Sequence, residues 1–440
     1  MALIVVIWIA LGLVAVALLF GDGMRMEYRA AANSAAAIEA GQTLEGAHRY
    51  LAFVLGNATS PGVFPDAAAC LTENVPVGEA SFWIIGRTDQ DIVLLDLPHF
   101  GWVDEASKLN LNTATREMLE ALPDMPPDLA AAIVDWRDPD DDPEPNGAES
   151  NAYHGSELRY ACKNAPFESV EELRWVRGAT LALLWGEDTN LNGVLDPNEN
   201  DGNASFPDDN ADGKLRRALT DFVTVFSEEP NTRPDGSPRI DVRRWQRREM
   251  SECLEQSVGA ERGAQITNAI QQAGGRIESV LEFYLTGGVT ADEAAKLDDS
   301  LTAHDGPMVQ GRVNVNTAPR EVLRCLPGIG DRYADALVTF RQTKTADQLA
   351  SPLWLRDVVD PASAALAGPY ITTRSYRISA DIAAVAAHGR AIRRSWMVFD
   401  TSRGQPIVLY RSDRTHAGWP LGMGVRNASA SIRKAWEGIL

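Results

Sequence analysis

The first twenty residues, MALIVVIWIALGLVAVALLF, contain no charged side chain. In a helix, at 1.5 Å per residue, such a run covers about 30 Å, the thickness of a bilayer's hydrocarbon core. A cleaved secretory signal would show a basic start, a shorter apolar centre and a small-residue cleavage site, none of which is visible here. Residues 1–20 are therefore predicted to form a transmembrane helix. Apolar residues at helical spacing continue through MRMEYRAAANSAAAIEAGQTLEGAHRYLAFVLG, so the same helix is expected to run on as an amphipathic stem over residues 21–58. Arg25 and Arg29 follow the span, and the positive-inside rule taken alone would put that side in the cytoplasm, a balance that a basic leader ahead of Met1 would reverse.

The remainder is long enough for more than one folded unit, since domains commonly run to roughly 100–200 residues and the chain has 440. Around Ser81, SFWIIGRTDQDIVLLDLPHF reads as a hairpin broken at Gly86-Arg87-Thr88-Asp89. Near the other end, SYRISADIAAVAAHGRAIRRSWMVF and PIVLYR read as strands again. Between them the pattern is mostly helical, with Pro- and Asp-rich loops. Strands, a helical block and strands again suggest an α+β chain with a helical domain inserted into an antiparallel sheet. The expected division is 59–107 for the first part of the sheet domain, 108–352 for the insertion, 353–411 for the second part and 412–440 for a tail.

The insertion contains an internal duplication. LNLNTATREMLEALP, from Leu109, aligns without a gap on VNVNTAPREVLRCLP, from Val313, and Arg137 then corresponds to Arg341. The repeats span 108–138 and 312–342. Asn-Thr-Ala before an apolar helical run fits an N-cap at Asn or Thr, with Glu in the first turn. Leu119 and Leu122, like Leu323 and Leu326, share one helix face and read as hairpin core.

The second copy ends in Gly328-Ile329-Gly330, a turn of the helix-hairpin-helix kind whose backbone N–H groups can hold a phosphate. That raises a second reading, a membrane-tethered DNA receptor of a competence-type pilus. Asp331 follows this turn, however, and the first copy has Asp124-Met125-Pro126, where Pro126 has no N–H to offer. The formal charge of −20 repels a polyanion, and RRWQRR, Arg243 to Arg248, is the nearest thing to a basic run. Nucleic acid is not the expected partner. The turn is read as packing two helices.

The clearest chemical signal is DTNLNGVLDPNE. Oxygen ligands at positions 1, 3, 5, 7, 9 and 12 with Gly at 6 define a calcium loop. Here they are Asp188, Asn190, Asn192, the Val194 carbonyl, Asp196 and Glu199, with Gly193 at the turn. Hard oxygen donors without His or Cys favour Ca²⁺. A weaker loop offers Asp208, Asn210 and Asp212, with Leu219 where the twelfth ligand would stand, which places the calcium loops within 188–221. A third acidic stretch gathers Asp138, Asp140, Asp142 and Glu149, for which a bound metal and a solvated loop are equal readings.

Cys70, Cys162, Cys253 and Cys325 form no C-x-x-C pair, and either disulfides or buried thiols fit them. The six histidines make no H-E-x-x-H, and neither a G-x-S-x-G elbow nor a GxxxxGK[ST] loop occurs, so a non-enzymatic protein is expected.

An apolar N-terminal helix that becomes an amphipathic stem resembles the type IV pilins and the pseudopilins of type II secretion. Most members carry Glu as the fifth mature residue. With Met1 as the N-methylated mature N-terminus, that place is taken here by Val5, the habit of the large minor pseudopilin K. The order LNLNTA, DWRDPD, NGAESNAY, ELRYACKNAPFESVEELRWVRG, VNVNTA and SYRISA is similar to the K family along nearly the whole chain. The resemblance implies a pilin fold with a helical insertion, calcium in that insertion and processing by a prepilin peptidase. It further implies a single pass through the inner membrane with a periplasmic body. The partners it implies are the minor pseudopilins I and J and other pseudopilus subunits, with this chain at the pseudopilus tip in protein export.

Overall fold

The computed structural model describes residues 1–57, 61–87, 98–154, 160–422 and 425–426. One helix, α1, runs unbroken over Ala2–Gly56. Residues 2–31 of it are exposed. Ala36, Ala40, Leu44, Ala47, Leu51 and Leu55 then recur every three or four residues and are buried. That spacing draws a single stripe along the stem, which packs on a sheet through Phe82, Ile84, Ile378, Ile382, Met397 and Phe399.

The sheet's strands are β1 (Val75–Val77), β2 (Ala80–Ile85), β3 (Val103–Asp104), β4 (Arg377–Val385), β5 (Ile392–Asp400) and β6 (Ile407–Asp413). The order is β1-β2-β4-β5-β6, all antiparallel, and β3 also pairs with β4. Alternation along β2 sends Phe82 and Ile84 toward the stem and Trp83 and Ile85 to the opposite face. Residues 88–97 of the expected hairpin lie outside the described residues. Its base is closed by Gly86 N–H donating to His99 O at 2.8 Å and Gly101 N–H donating to Ile84 O at 2.9 Å.

The chain leaves the sheet at Asp104 and returns beside it, Ile378 lying opposite Asp104 in register. The intervening segment builds its own apolar core from Leu109 to Ile371. Return to the sheet comes at Arg377 rather than at residue 353. Leu353, Trp354, Leu355, Ala364 and Ala367 are buried in the helical core, which claims that stretch. After β6, Trp419 meets Trp83 edge-on with ring centroids 5.3 Å apart, so the start of the tail covers the sheet face away from the stem. Residues 427–440 of the tail lie outside the described residues.

Within the helical core the two duplicated segments make parallel sets of bonds. Helices α2 (Arg116–Glu120) and α3 (Pro127–Arg137) form the first, and α4 (Arg320–Leu323) and α5 (Gly330–Gln342) the second. Arg137 donates to the carbonyls of Leu111 and Ala114, and Arg341 to those of Val315 and Ala318, the latter two at 2.9 and 2.6 Å. Neither the asparagine nor the threonine of Asn-Thr-Ala is the cap, which falls to Thr115 and Pro319. Asn112 bonds the backbone of Phe167 and Asn316 bonds Leu349 O and Trp354 Nε1 instead. Asn110 and Asn314 are buried hubs, each accepting from the N–H two residues on, because their amides can satisfy backbone and side chain together.

Asn314 joins the insertion to the sheet. Its Nδ2 donates to Asp104 Oδ2 at 3.0 Å, and Thr317 and Ser375 hydroxyls donate to the same oxygen. Burial pushes the Asp104 carboxyl up to about 6, although these hydrogen bonds pull it the other way. The four cysteines are free thiols, three of them buried.

Candidate metal centres

Asp188 opens the first loop at 1% exposure, its two carboxylate oxygens accepting the N–H groups of Asn192 at 2.9 Å and Gly193 at 2.8 Å. Leu191 and Gly193 have φ of 55° and 74°, the left-handed turn that wraps the chain around the carboxylate. At the far end Glu199, also 1% exposed, accepts from Thr189 N–H at 2.9 Å through one oxygen and from Asp196 N–H at 3.1 Å through the other. Asn190 and Asn192 both donate Nδ2 to Asp196 Oδ2, at 2.5 and 3.0 Å. Val194 sits half-buried in the turn.

This donor set fits a hard cation. Asn190 Oδ1 is buried without a hydrogen-bond partner, an arrangement that folded proteins rarely tolerate. Two carboxylates are buried within one twelve-residue loop. Burial raises both: Glu199 is pushed up to about 7, with the Asp188 charge adding to the effect. Asp188 is raised by burial against the pull of Arg87, whose Nη2 lies 3.9 Å away. Turning either asparagine amide by half a turn would present its oxygen instead.

The loop lies on the seam between insertion and sheet. Arg394 of β5, 1% exposed, pairs with Asp381 at 2.8 Å and donates to the carbonyls of Asn190 and Leu191. Arg87, just past β2, donates to Leu191 O and to Asp221, both at 3.1 Å. Asn192 Nδ2 reaches Pro420 O of the tail at 3.0 Å. The motif reading names the candidate donors but not these clamps, since Arg87, Asp381 and Arg394 are remote in sequence and belong to no spacing pattern.

In the second loop Asn210 Nδ2 donates to Asp212 Oδ2 at 3.1 Å. Asp208, Asn210 and Asp212 are exposed, and Leu219 is buried in the helical core. Asp209 orders this turn, accepting N–H groups from Asp201 and Gly202 at 3.0 Å and from Ala211 at 2.6 Å.

The third stretch is rearranged. Asp138 and Glu149 come together with Asp135, one oxygen of each lying within 4.8 Å of the others. Asp140 and Asp142 are exposed and stay outside. Helical spacing explains the exchange: Asp135 precedes Asp138 by three residues at the end of α3 and so shares its face, while the chain beyond turns outward. Glu149 returns over Gly147, where a Cβ would stand 1.9 Å from Asp135 Oδ2. Both Glu149 oxygens and Asp138 Oδ1 are buried without partners. Burial first, then the nearby carboxylates of Asp141, Asp135 and Asp138, push Glu149 up to about 7.

The glycine turn of the second repeat is closed by protein. A Cβ on Gly328 would meet Ser363 O at 2.1 Å, so the helix Pro361–Ala367 packs directly on it. Asp331 faces Arg324 at 3.3 Å. Arg243 and Arg244, the start of the basic run, are paired with Asp241 and Asp305.

Residues 104–184 match the family described as type II secretion system (T2SS), protein K. Over this segment the chain is similar to protein K of type II secretion. The matched K-protein segment begins at Asp104, where the chain leaves the sheet, and holds the first repeat and the Asp135, Asp138, Glu149 group. A solved structure of the GspK-GspI-GspJ complex from the enterotoxigenic Escherichia coli Type 2 Secretion System aligns over 89% of this chain and 97% of its own, at 12% identity. Its TM-score of 0.40 is too low to fix the fold by itself. No curated protein matches the chain by sequence.

Proposed function

We propose that this K-type chain is a minor pseudopilin acting by assembly at the tip of the type II secretion pseudopilus. The observation that carries the reading is the coincidence of the K-protein segment with an N-terminal helix that passes from an exposed apolar run into a stem packed on an antiparallel sheet. A helix of 55 residues is about 80 Å long, enough to cross a bilayer and carry a folded body clear of it. The span anchors the chain in the inner membrane, with the body periplasmic. Val5 leaves no carboxylate in the apolar run needing a neighbour above it, as suits a tip subunit. The minor pseudopilins I and J are its partners. The duplicated hairpins act as scaffold, and nothing here requires an enzyme.

Calcium completes this reading. Asp188, Asn190, Asn192, Asp196, Glu199 and the Val194 carbonyl would hold one ion, and Asp135, Asp138 and Glu149 a second. Bound calcium neutralises buried carboxylates. Through Arg87, Arg394 and Pro420 the first loop then orders the seam between insertion and sheet.

The test is co-purification of the full chain with the I and J proteins, with and without calcium, alongside complementation of a secretion-deficient strain lacking K. A defined three-protein complex and restored export are expected. Export without any such complex would refute the tip assignment.

A further inference from the structure

Arg25, Arg29 and Arg390 converge on one concavity, walled by Met24, Tyr28 and Asn33. Two of the arginines lie one helical turn apart on α1. The third comes from the turn joining β4 to β5, far away in sequence. That turn is fixed against the stem: Ala387 N–H donates to Glu39 Oε2 at 3.1 Å, and Ala386 packs on Ala36 and Ala40. His388 and Gly389, with φ of 59° and 67°, fold it tightly enough to set Arg390 beside Asn33. Three guanidinium groups lining one concavity make it attractive to an anion. Asp22 lies 3.9 Å from Arg25, and both side chains are about 80% exposed. Arg29 and Arg390 have no ion-pair partner among the described residues.

The height of this cluster along the helix says which anion. Counted from Phe20, the last residue of the apolar run, Arg25 lies about 7 Å and Arg29 about 13 Å along the axis. A headgroup layer extends roughly 5–7 Å beyond the hydrocarbon. Arg25 therefore stands at headgroup level, and the other two stand just above, where long side chains can snorkel down. Guanidinium pairs phosphate through two parallel hydrogen bonds, which suits a phosphodiester. The rest of the chain makes this patch decisive for orientation. With a net charge of −20 the body is repelled by an anionic surface, so a segregated basic edge determines which side faces down.

We propose that Arg25, Arg29 and Arg390 bind the phosphate of anionic phospholipid headgroups and dock the membrane-proximal edge of the sheet on the bilayer. The proposal rests on the reading of α1 as a membrane anchor. Docking sets the tilt of the body before the subunit is taken into an assembly, and each arginine contributes roughly fivefold to the preference for an anionic surface.

The experiment uses the full chain in nanodiscs of phosphatidylcholine alone or mixed with phosphatidylglycerol, read by amide hydrogen exchange over residues 386–392. Severalfold slower exchange is expected in the anionic discs. The difference should vanish in 1 M salt and in Arg29→Gln/Arg390→Gln, and should largely survive in Arg29→Lys/Arg390→Lys. Inorganic phosphate added to phosphatidylcholine discs should not reproduce it. Equal exchange in both disc types, an unchanged difference in the glutamine variant, or full protection by free phosphate would each overturn the headgroup site. Failure of the chain to remain in discs of either composition would overturn the anchor reading as well, whereas retention in both with no difference refutes the docking site alone.

Discussion

Glu149→Gln separates the cost of a buried carboxylate from the gain of a bound cation. Both oxygens of Glu149 lack hydrogen-bond partners and the residue is 3% exposed, so the amide removes a charge without breaking a bond. Its carboxyl is raised from an ordinary 4.5 to about 7. Between these values the folded chain holds a proton that the unfolded chain has released, so stability falls as pH rises through this window and levels off above it. The full shift corresponds to about 3 kcal/mol, and solvent screening near the loop surface reduces that to about 1–2 kcal/mol. With chelator at pH 8, Glu149→Gln should be more stable than the parent by that amount, about 2–4 °C in Tm per kcal/mol. At pH 4.5 the two should coincide. Calcium should then reverse the order, because saturation at a hundred times Kd adds about 2.7 kcal/mol to a chain that keeps the site. Thermal unfolding of the full chain in detergent, with calcium or chelator at both pH values, measures all four corners. A variant that is no more stable at pH 8 with chelator, and that gains as much from calcium as the parent does, would refute the reasoning.

Asp188→Ala combined with Glu199→Ala should abolish calcium-dependent protection of residues 188–199 from proteolysis while leaving the calcium response at Glu149 intact. Arg394→Met leaves Asp381 with Arg414 alone, frees the Asn190 carbonyl and leaves Leu191 O to Arg87, and should cost about 3 kcal/mol in denaturant unfolding, with early cleavage in the same loop. Gly328→Ala combines a φ of 79° with a contact of 2.1 Å to Ser363 O, so a loss of at least about 2 kcal/mol is expected by chemical denaturation. Duplex DNA should show no salt-dependent retention on the full chain, and a log–log salt slope of several units would revive the phosphate-binding turn.

Patterns confined to one stretch of chain were legible without coordinates. An uncharged run long enough to cross a bilayer, a stripe repeating every three or four residues and alternating strands are local consequences of helix and strand periodicity. So is the twelve-residue loop from Asp188 to Glu199, whose spacing alone picks out the candidate donors. Fold and structure agree in outline there: α1, an antiparallel sheet and a helical block between its halves.

What local pattern cannot carry is proximity between distant residues. Asp135 joins Asp138 and Glu149 because a helix face and a glycine crossover bring them together, while Asp140 and Asp142, adjacent in sequence, point to solvent. Asn112 and Asn316 resembled caps because Asn before a helix commonly is one, yet packing sets their amides against Phe167, Leu349 and Trp354. Arg394 and Arg87 show no motif at all, and only sheet packing sets them against the loop carbonyls. Chain periodicity determined which elements exist. Tertiary structure decided which side chains meet, because burial selects partners by distance in space and leaves no spacing rule in the sequence.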